Sequence, residues 1–95
     1  DAGFRQMFAG SPIKRIKRDR FARNVLIAIG NSGDASLAPA AEARLGDASP
    51  LVRAMAVWAL SRLVPDYILA KMRNRLLPAE LDADVRREWM EGAEC

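Results

Sequence analysis

The sequence predicts an all-α fold, an α-solenoid of antiparallel helix pairs with two full repeats and a partial third. Three observations predict it. Strand signals are missing: polar and apolar residues rarely alternate, and alanine and leucine outnumber the β-branched residues. Helix-start pairs recur, as Ser11-Pro12 and Ser49-Pro50, each a capping hydroxyl followed by proline at the first helical position. The chain also matches itself after a shift of 31 residues. Phe21 then falls on Val52, Val25 on Ala56, Leu26 on Val57, Ala28 on Ala59, Ile29 on Leu60 and Gly30 on Ser61. These small and apolar positions at helical spacing imply a duplicated helix pair, the unit from which a solenoid is stacked.

Each element has its own signals. Ser11-Pro12 opens a short basic turn carrying Ile13 and Ile16. At about 100° per residue those two point away from Phe21, Val25 and Ile29. A break is therefore expected near Arg18-Asp19, with Asp19 capping a new helix from Arg20 to Ile29. Gly30-Asn31-Ser32-Gly33 tolerates left-handed backbone and ends it. Ser36 is expected to cap a second helix to about Leu45, with Pro39 in its first turn and Gly46 closing it. Ser49-Pro50 opens a third, to about Leu63. Pro65-Asp66 starts a fourth, to Leu77, stopped by Pro78. A fifth runs from about Asp84 to Glu91, and "DADVR" at 82–86 echoes "DASPLVR" at 47–53. Ala28 and Ala59 share a repeat position and are expected where helices approach closely.

Composition bounds the chemistry. The 95 residues suffice for one small domain, and 51% are hydrophobic, so a modest core can form. Apolar runs are short and broken by arginine, so no transmembrane helix or membrane partner is expected, and a cytoplasmic location follows. A first residue of Asp suggests a piece of a longer protein. The single cysteine, Cys95, excludes an internal disulfide and a multi-cysteine metal site. With no histidine, the commonest general base is also absent, so no catalytic, cofactor-binding or metal residue is assigned to this chain. Charge is unevenly spread. Residues 14–23 sum to +5 and residues 78–95 to −4, which suggests directional contacts with partners.

Two patterns carry a resemblance. Asp47, Ser49, Pro50, Val52, Arg53, Ala56, Val57, Ala59 and Leu60 are similar to the starts of HEAT-like repeats, a pattern shared by many scaffolds. More specific is "FRQMFAGSPIKRIKRDRFARNVLIAIGNSGD" at 4–34, followed by "SPLVRAMAVWAL". It resembles the carboxy-terminal region of the bacterial epoxyqueuosine reductases, also labelled as four-iron four-sulfur double-cluster proteins. The positions that carry it are Phe8, Gly10, Ser11, Pro12, Arg15, Arg23, Asn24, Gly30, Asn31 and Asp34. The resemblance implies a parent enzyme that reduces epoxyqueuosine to queuosine in tRNA with cobalamin and two four-iron four-sulfur clusters. It implies that residues 1–18 lead in from a missing iron–sulfur domain and that 19–95 form the helical-repeat domain. The family's tandem cysteine runs and its cobalamin-binding domain are absent from this chain, so no catalytic or cofactor residue is carried over.

The basic run Lys14, Arg15, Lys17, Arg18 and Arg20 then has three readings. It is a solvated helix face, a strap for the preceding iron–sulfur domain, or a grip on tRNA phosphates, for which lysine and arginine supply most of the affinity. Phe4, Met7, Phe8 and Arg23 are candidates for docking that preceding domain. Trp58 and Trp89 read as core residues rather than base-stacking platforms, and the carboxylates of 82–94 read as a solvated acidic helix. Two rival functions remain at this point: a HEAT-like protein-interaction scaffold without RNA binding, and a repeat domain that tracks DNA.

Overall fold

The computed structural model describes the backbone of residues 12–94 and the side chains of residues 16–91. Every regular element among them is helical. The α-helices are α1 Pro12–Asn31, α2 Ala38–Glu42, α3 Pro50–Leu63, α4 Asp66–Leu76 and α5 Ala83–Glu94. A 3-10 turn, Ala35–Leu37, leads into α2, and another, Leu77–Ala79, follows α4.

The helix boundaries follow from local chemistry. Gly33, at φ 69°, takes the left-handed conformation that ends the first hairpin arm. Gly30, grouped with that turn by sequence, is instead helical and buried. The second start is capped differently from expectation. Asp34, not Ser36, is the cap: its carboxylate accepts the Ser36 N–H at 3.0 Å and the Ser36 hydroxyl at 2.6 Å. The Ser36 hydroxyl is thus used as a donor to an anionic acceptor, a stronger bond than a neutral cap would make. The helix that follows is short, ending at Glu42 and continuing as turns to Gly46. Ser49-Pro50 does open α3, but the Ser49 side chain makes no capping bond. Asp47 fixes the approach to the helix instead, accepting the N–H of Ser49 itself at 2.9 Å. At the head of α5 the Asp82 carboxylate accepts the N–H groups of Asp84 and Val85.

The break expected near Arg18-Asp19 is absent, because α1 is continuous from Pro12 to Asn31. Asp19 is no cap; it pairs with the Arg18 guanidinium at 2.7 Å. The packing gives the reason. A helix covered on two sides must gather its apolar residues to suit both neighbours. Among the described residues α1 is covered on one side only, so Ile16 (49% exposed), Phe21 (73%) and Val25 (41%) stay outside. Its buried stripe is Ala22, Leu26 and Ile29, rotated from the expected Phe21, Val25 and Ile29.

α3 is the central element. Val52, Ala56, Val57, Ala59 and Leu60 are each buried to within 1% of full cover. They pack toward α1, α2 and α5, and the core is completed by Leu69 and by Val85 and Trp89. Burial of each of the larger side chains, Val52, Val57 and Leu60, is worth about 1.5–3 kcal/mol, so α3 organises the fold.

The directions of the helices can be read from their contacts. Arg18, early in α1, meets Asp47 just before α3, while Gly30 and Trp58 meet near the far ends of the same two helices. α1 and α3 are therefore parallel. Arg53, early in α3, meets Glu80 just before α5, and Val57, Val85 and Trp89 share one cleft, so α3 and α5 are parallel as well. α2 and α4 connect them in the opposite direction. One end of the molecule thus collects the starts of α1, α3 and α5 and the finishes of α2 and α4.

Candidate nucleic-acid interface

The starts of the parallel helices are held by two arginine–carboxylate latches. Arg18 Nη2 reaches Asp47 Oδ2 at 2.6 Å, across 29 residues of sequence. The Asp47 side chain is only 3% exposed. Burial pushes its carboxyl up, but the Ser49 N–H and Arg18 outweigh that and hold it below the usual carboxylate range. The hydrogen bond to Asp47 correspondingly raises the Arg18 guanidinium. The second latch is bidentate. Arg53 Nε and Nη2 donate to Glu80 Oε1 and Oε2, each at 3.0 Å. Arg53 Nη1 also donates to the carbonyls of Asp47 and Ala48, tying the two latches together. Glu80 shows the same balance as Asp47: burial raises it, Arg53 and the Asp82 N–H lower it further, and the net shift is down.

These latches sort the basic run. Arg18, a candidate phosphate ligand in the sequence, is committed to Asp47 and Asp19. Lys17 and Arg20 are exposed and form no ion pair with a described carboxylate. Lys14 and Arg15 have side chains outside the described residues. Arg23 is half-buried: Nη2 reaches Asn24 Oδ1 at 3.4 Å, and Nε is buried without a partner among the described residues. Phe4, Met7 and Phe8 lie outside the described residues. The tryptophans are structural, as expected. Trp89 is 2% exposed, and Trp58 packs against Gly30 with the Arg62 guanidinium 5.4 Å above its ring.

Further cations share this end. Arg44 sits 3.8 Å from the Asp47 carboxylate that Arg18 already occupies. Arg73 and Arg75 lie in the last turn of α4, and neither forms an ion pair with a described carboxylate. The sequence carried a signal for them that the expectation passed over: "KMRNR" at 71–75 holds three cations and no acid. Four acids of this end are spent within the fold, while Glu42 and Asp84 stay exposed. Asp19 and Asp47 pair with Arg18, Glu80 pairs with Arg53, and Asp82 caps α5. What reaches solvent there is predominantly positive. The opposite end carries Asp34 and Asp66 with Arg62, and Glu91 lies near the finish of α5.

A surface of this kind suits an anionic ligand in general. The chain is 41% identical to the epoxyqueuosine reductase of Alicycliphilus denitrificans over 70 residues, covering 65% of this chain and 19% of that protein. It is 38% identical to the epoxyqueuosine reductase of Xanthomonas campestris pv. campestris over 63 residues, covering 65% of this chain and 18% of that protein. Both matches support membership of the epoxyqueuosine reductase family. Less than a fifth of the length of either epoxyqueuosine reductase is matched. No family model matches the chain, and no solved structure does.

The iron–sulfur clusters that the resemblance implies do not fit this chain's residues. A four-iron four-sulfur cluster takes four thiolates, and the chain has one cysteine. No described group of three or more acidic, histidine or cysteine side chains is placed to hold a metal ion. No described helix is long and apolar enough to cross a membrane.

Proposed function

We propose that this chain is the carboxy-terminal helical-repeat domain of an epoxyqueuosine reductase-like enzyme, and that it grips tRNA and braces the domain that precedes it. The parent would reduce the epoxide of epoxyqueuosine in tRNA in the cytoplasm, with cobalamin and two iron–sulfur clusters held elsewhere in the protein. This chain contributes binding rather than bond-making.

The observation that carries the RNA role is the division of labour within the basic run. Arg18 is consumed by the fold, and it consumes Asp19 and Asp47 in turn. Lys17 and Arg20 are left exposed on the helix that carries the family motif. Unpaired cations beside spent acids are what a phosphate backbone requires. The HEAT-like reading is supported by the alternation of parallel helices α1, α3 and α5 with returning α2 and α4, and by the recurrence of one arginine–carboxylate latch per step. The bracing role is supported by Phe21 and Val25. Their repeat partners Val52 and Ala56 are buried, so α1 presents an uncovered face where α3 presents a covered one.

Lys17→Glu with Arg20→Glu tests the RNA role, and Arg18 is left intact so that the latch survives. In the full-length protein, tRNA affinity should fall. The slope of log affinity against log salt should shrink by about 1.4–1.8, at roughly 0.7–0.9 per phosphate contact. Unchanged affinity and slope would leave the chain as a HEAT-like protein scaffold.

A further inference from the structure

α4 has a solvent face of its own. Tyr67, Lys71, Asn74 and Arg75 are all exposed, at positions i, i+4, i+7 and i+8, so they share one side of the helix. Tyr67 is 65% exposed, and the Lys71 Nζ lies 5.9 Å from the centre of its ring. Neither Lys71 nor Arg75 forms an ion pair with a described carboxylate. Steps of four residues advance about 6 Å along the axis. A ring and two cations therefore stand in a row, with one group on each successive turn.

We propose that this face is a second RNA contact, with Lys71 and Arg75 on the phosphate backbone and Tyr67 against a base. The inference rests on the reading that the chain serves RNA. It adds a contact on a helix separate from the basic run of α1. Arg75 gains something from the carbonyl end of α4, whose partial negative charge favours a cation. That gain does not extend to Lys71, a turn earlier, and it gives no role to an exposed tyrosine. A strand of RNA uses all three groups, since its backbone takes the cations and any base offers a planar face for stacking. An acidic polypeptide would use the cations and leave the ring idle. The position suits a joint grip as well. The finish of α4 lies at the same end of the molecule as Lys17 and Arg20, so a long anionic ligand can meet both helices.

The test uses the full-length protein and a fluorescently labelled tRNA transcript, titrated across a range of salt. Lys71→Glu with Arg75→Glu should lower affinity about tenfold or more and shrink the salt slope by about 1.4–1.8. Tyr67→Ala should weaken binding about fivefold or more with the slope unchanged, and Tyr67→Phe should restore it, because the ring does the stacking. All of these side chains are exposed, so melting temperatures should not move. If charge reversal disturbs folding, Lys71→Gln with Arg75→Gln carries the same comparison. Affinity and slope unchanged in the α4 variants, while Lys17→Glu with Arg20→Glu weakens binding, would overturn this contact and leave the RNA reading standing. Unchanged binding in both sets would remove both. Losses that are larger for polyglutamate than for tRNA, with Tyr67→Ala silent, would assign the face to an acidic protein and overturn the proposal.

Discussion

At the scale of single residues, space decides what the repeat alignment left open. Ala28 and Ala59 occupy one repeat position, yet Ala59 is fully buried and Ala28 is exposed. Ala59→Leu should therefore destabilise by about 1–3 kcal/mol, because added carbons must displace packed neighbours. Ala28→Leu should fall within about 0.5 kcal/mol of the parent. Urea midpoints of the two variants check this, and equal shifts would mean that α1 and α3 are covered alike. The same comparison explains what was legible. Leu26 and Val57 were paired by sequence and both are buried, as hydrophobic spacing demands. Phe21 and Val52 were paired as well, and only Val52 is buried. Spacing reports which residues share a face, whereas cover depends on a neighbour the spacing does not contain. Gly30 makes the converse point. Its composition suggested a turn, but a Cβ there would run into the Trp58 ring, so the glycine serves close approach of two helices.

At the scale of elements, the helix starts were readable and their fastenings were not. Proline after Ser49 fixes the first turn of α3 by its own geometry, which is a local property. The Arg18–Asp47 latch joins residues 29 apart, so no local rule could show that Arg18 has a carboxylate partner inside the fold. Both latches tie stability to pH. Asp47 and Glu80 are depressed in the folded chain, so their contribution is fully present above the ordinary carboxylate range. It is lost as pH falls through the folded values, below about pH 5. Glu88 has the opposite sign. Burial, and then the charge of Glu91, raise it, so what it contributes is present at low pH and lost as pH rises through its folded value. The two latches should dominate, because each carboxylate also holds a backbone N–H. Thermal melts from pH 7 down to pH 3 should show stability falling, and Asp47→Asn with Glu80→Gln should flatten that fall while lowering stability at pH 7. A double variant with the parent's acid profile would show that other carboxylates control it.

At the scale of the whole molecule, one uncovered helix face sets how the chain joins its surroundings. Ile16, Phe21 and Val25 are large apolar residues left exposed on α1, and among the described residues Phe21 and Val25 line an open groove with Ala40 of α2 and Arg44 just after it. α3, its repeat partner, keeps Val52 and Ala56 buried by packing on both sides. In a stack of repeats each helix is covered by the one before it, so an uncovered first helix is an unsatisfied position. The bracing reading fills that position with the preceding domain of the same protein. Lys17 lies one turn before Phe21 on the same side of α1, so in this reading RNA and the preceding domain would meet side by side on that helix. Phe21→Ser discriminates between these surroundings. In the isolated chain Phe21 is already 73% exposed, so the variant should change stability by less than about 0.5 kcal/mol. In the full-length protein the same substitution removes a buried aromatic contact and should cost about 1.5–3 kcal/mol. Denaturant unfolding of both proteins, with and without the substitution, gives the comparison directly. A loss confined to the full-length protein would put the preceding domain on α1, and a small effect in both would leave that face bare and the bracing role without support.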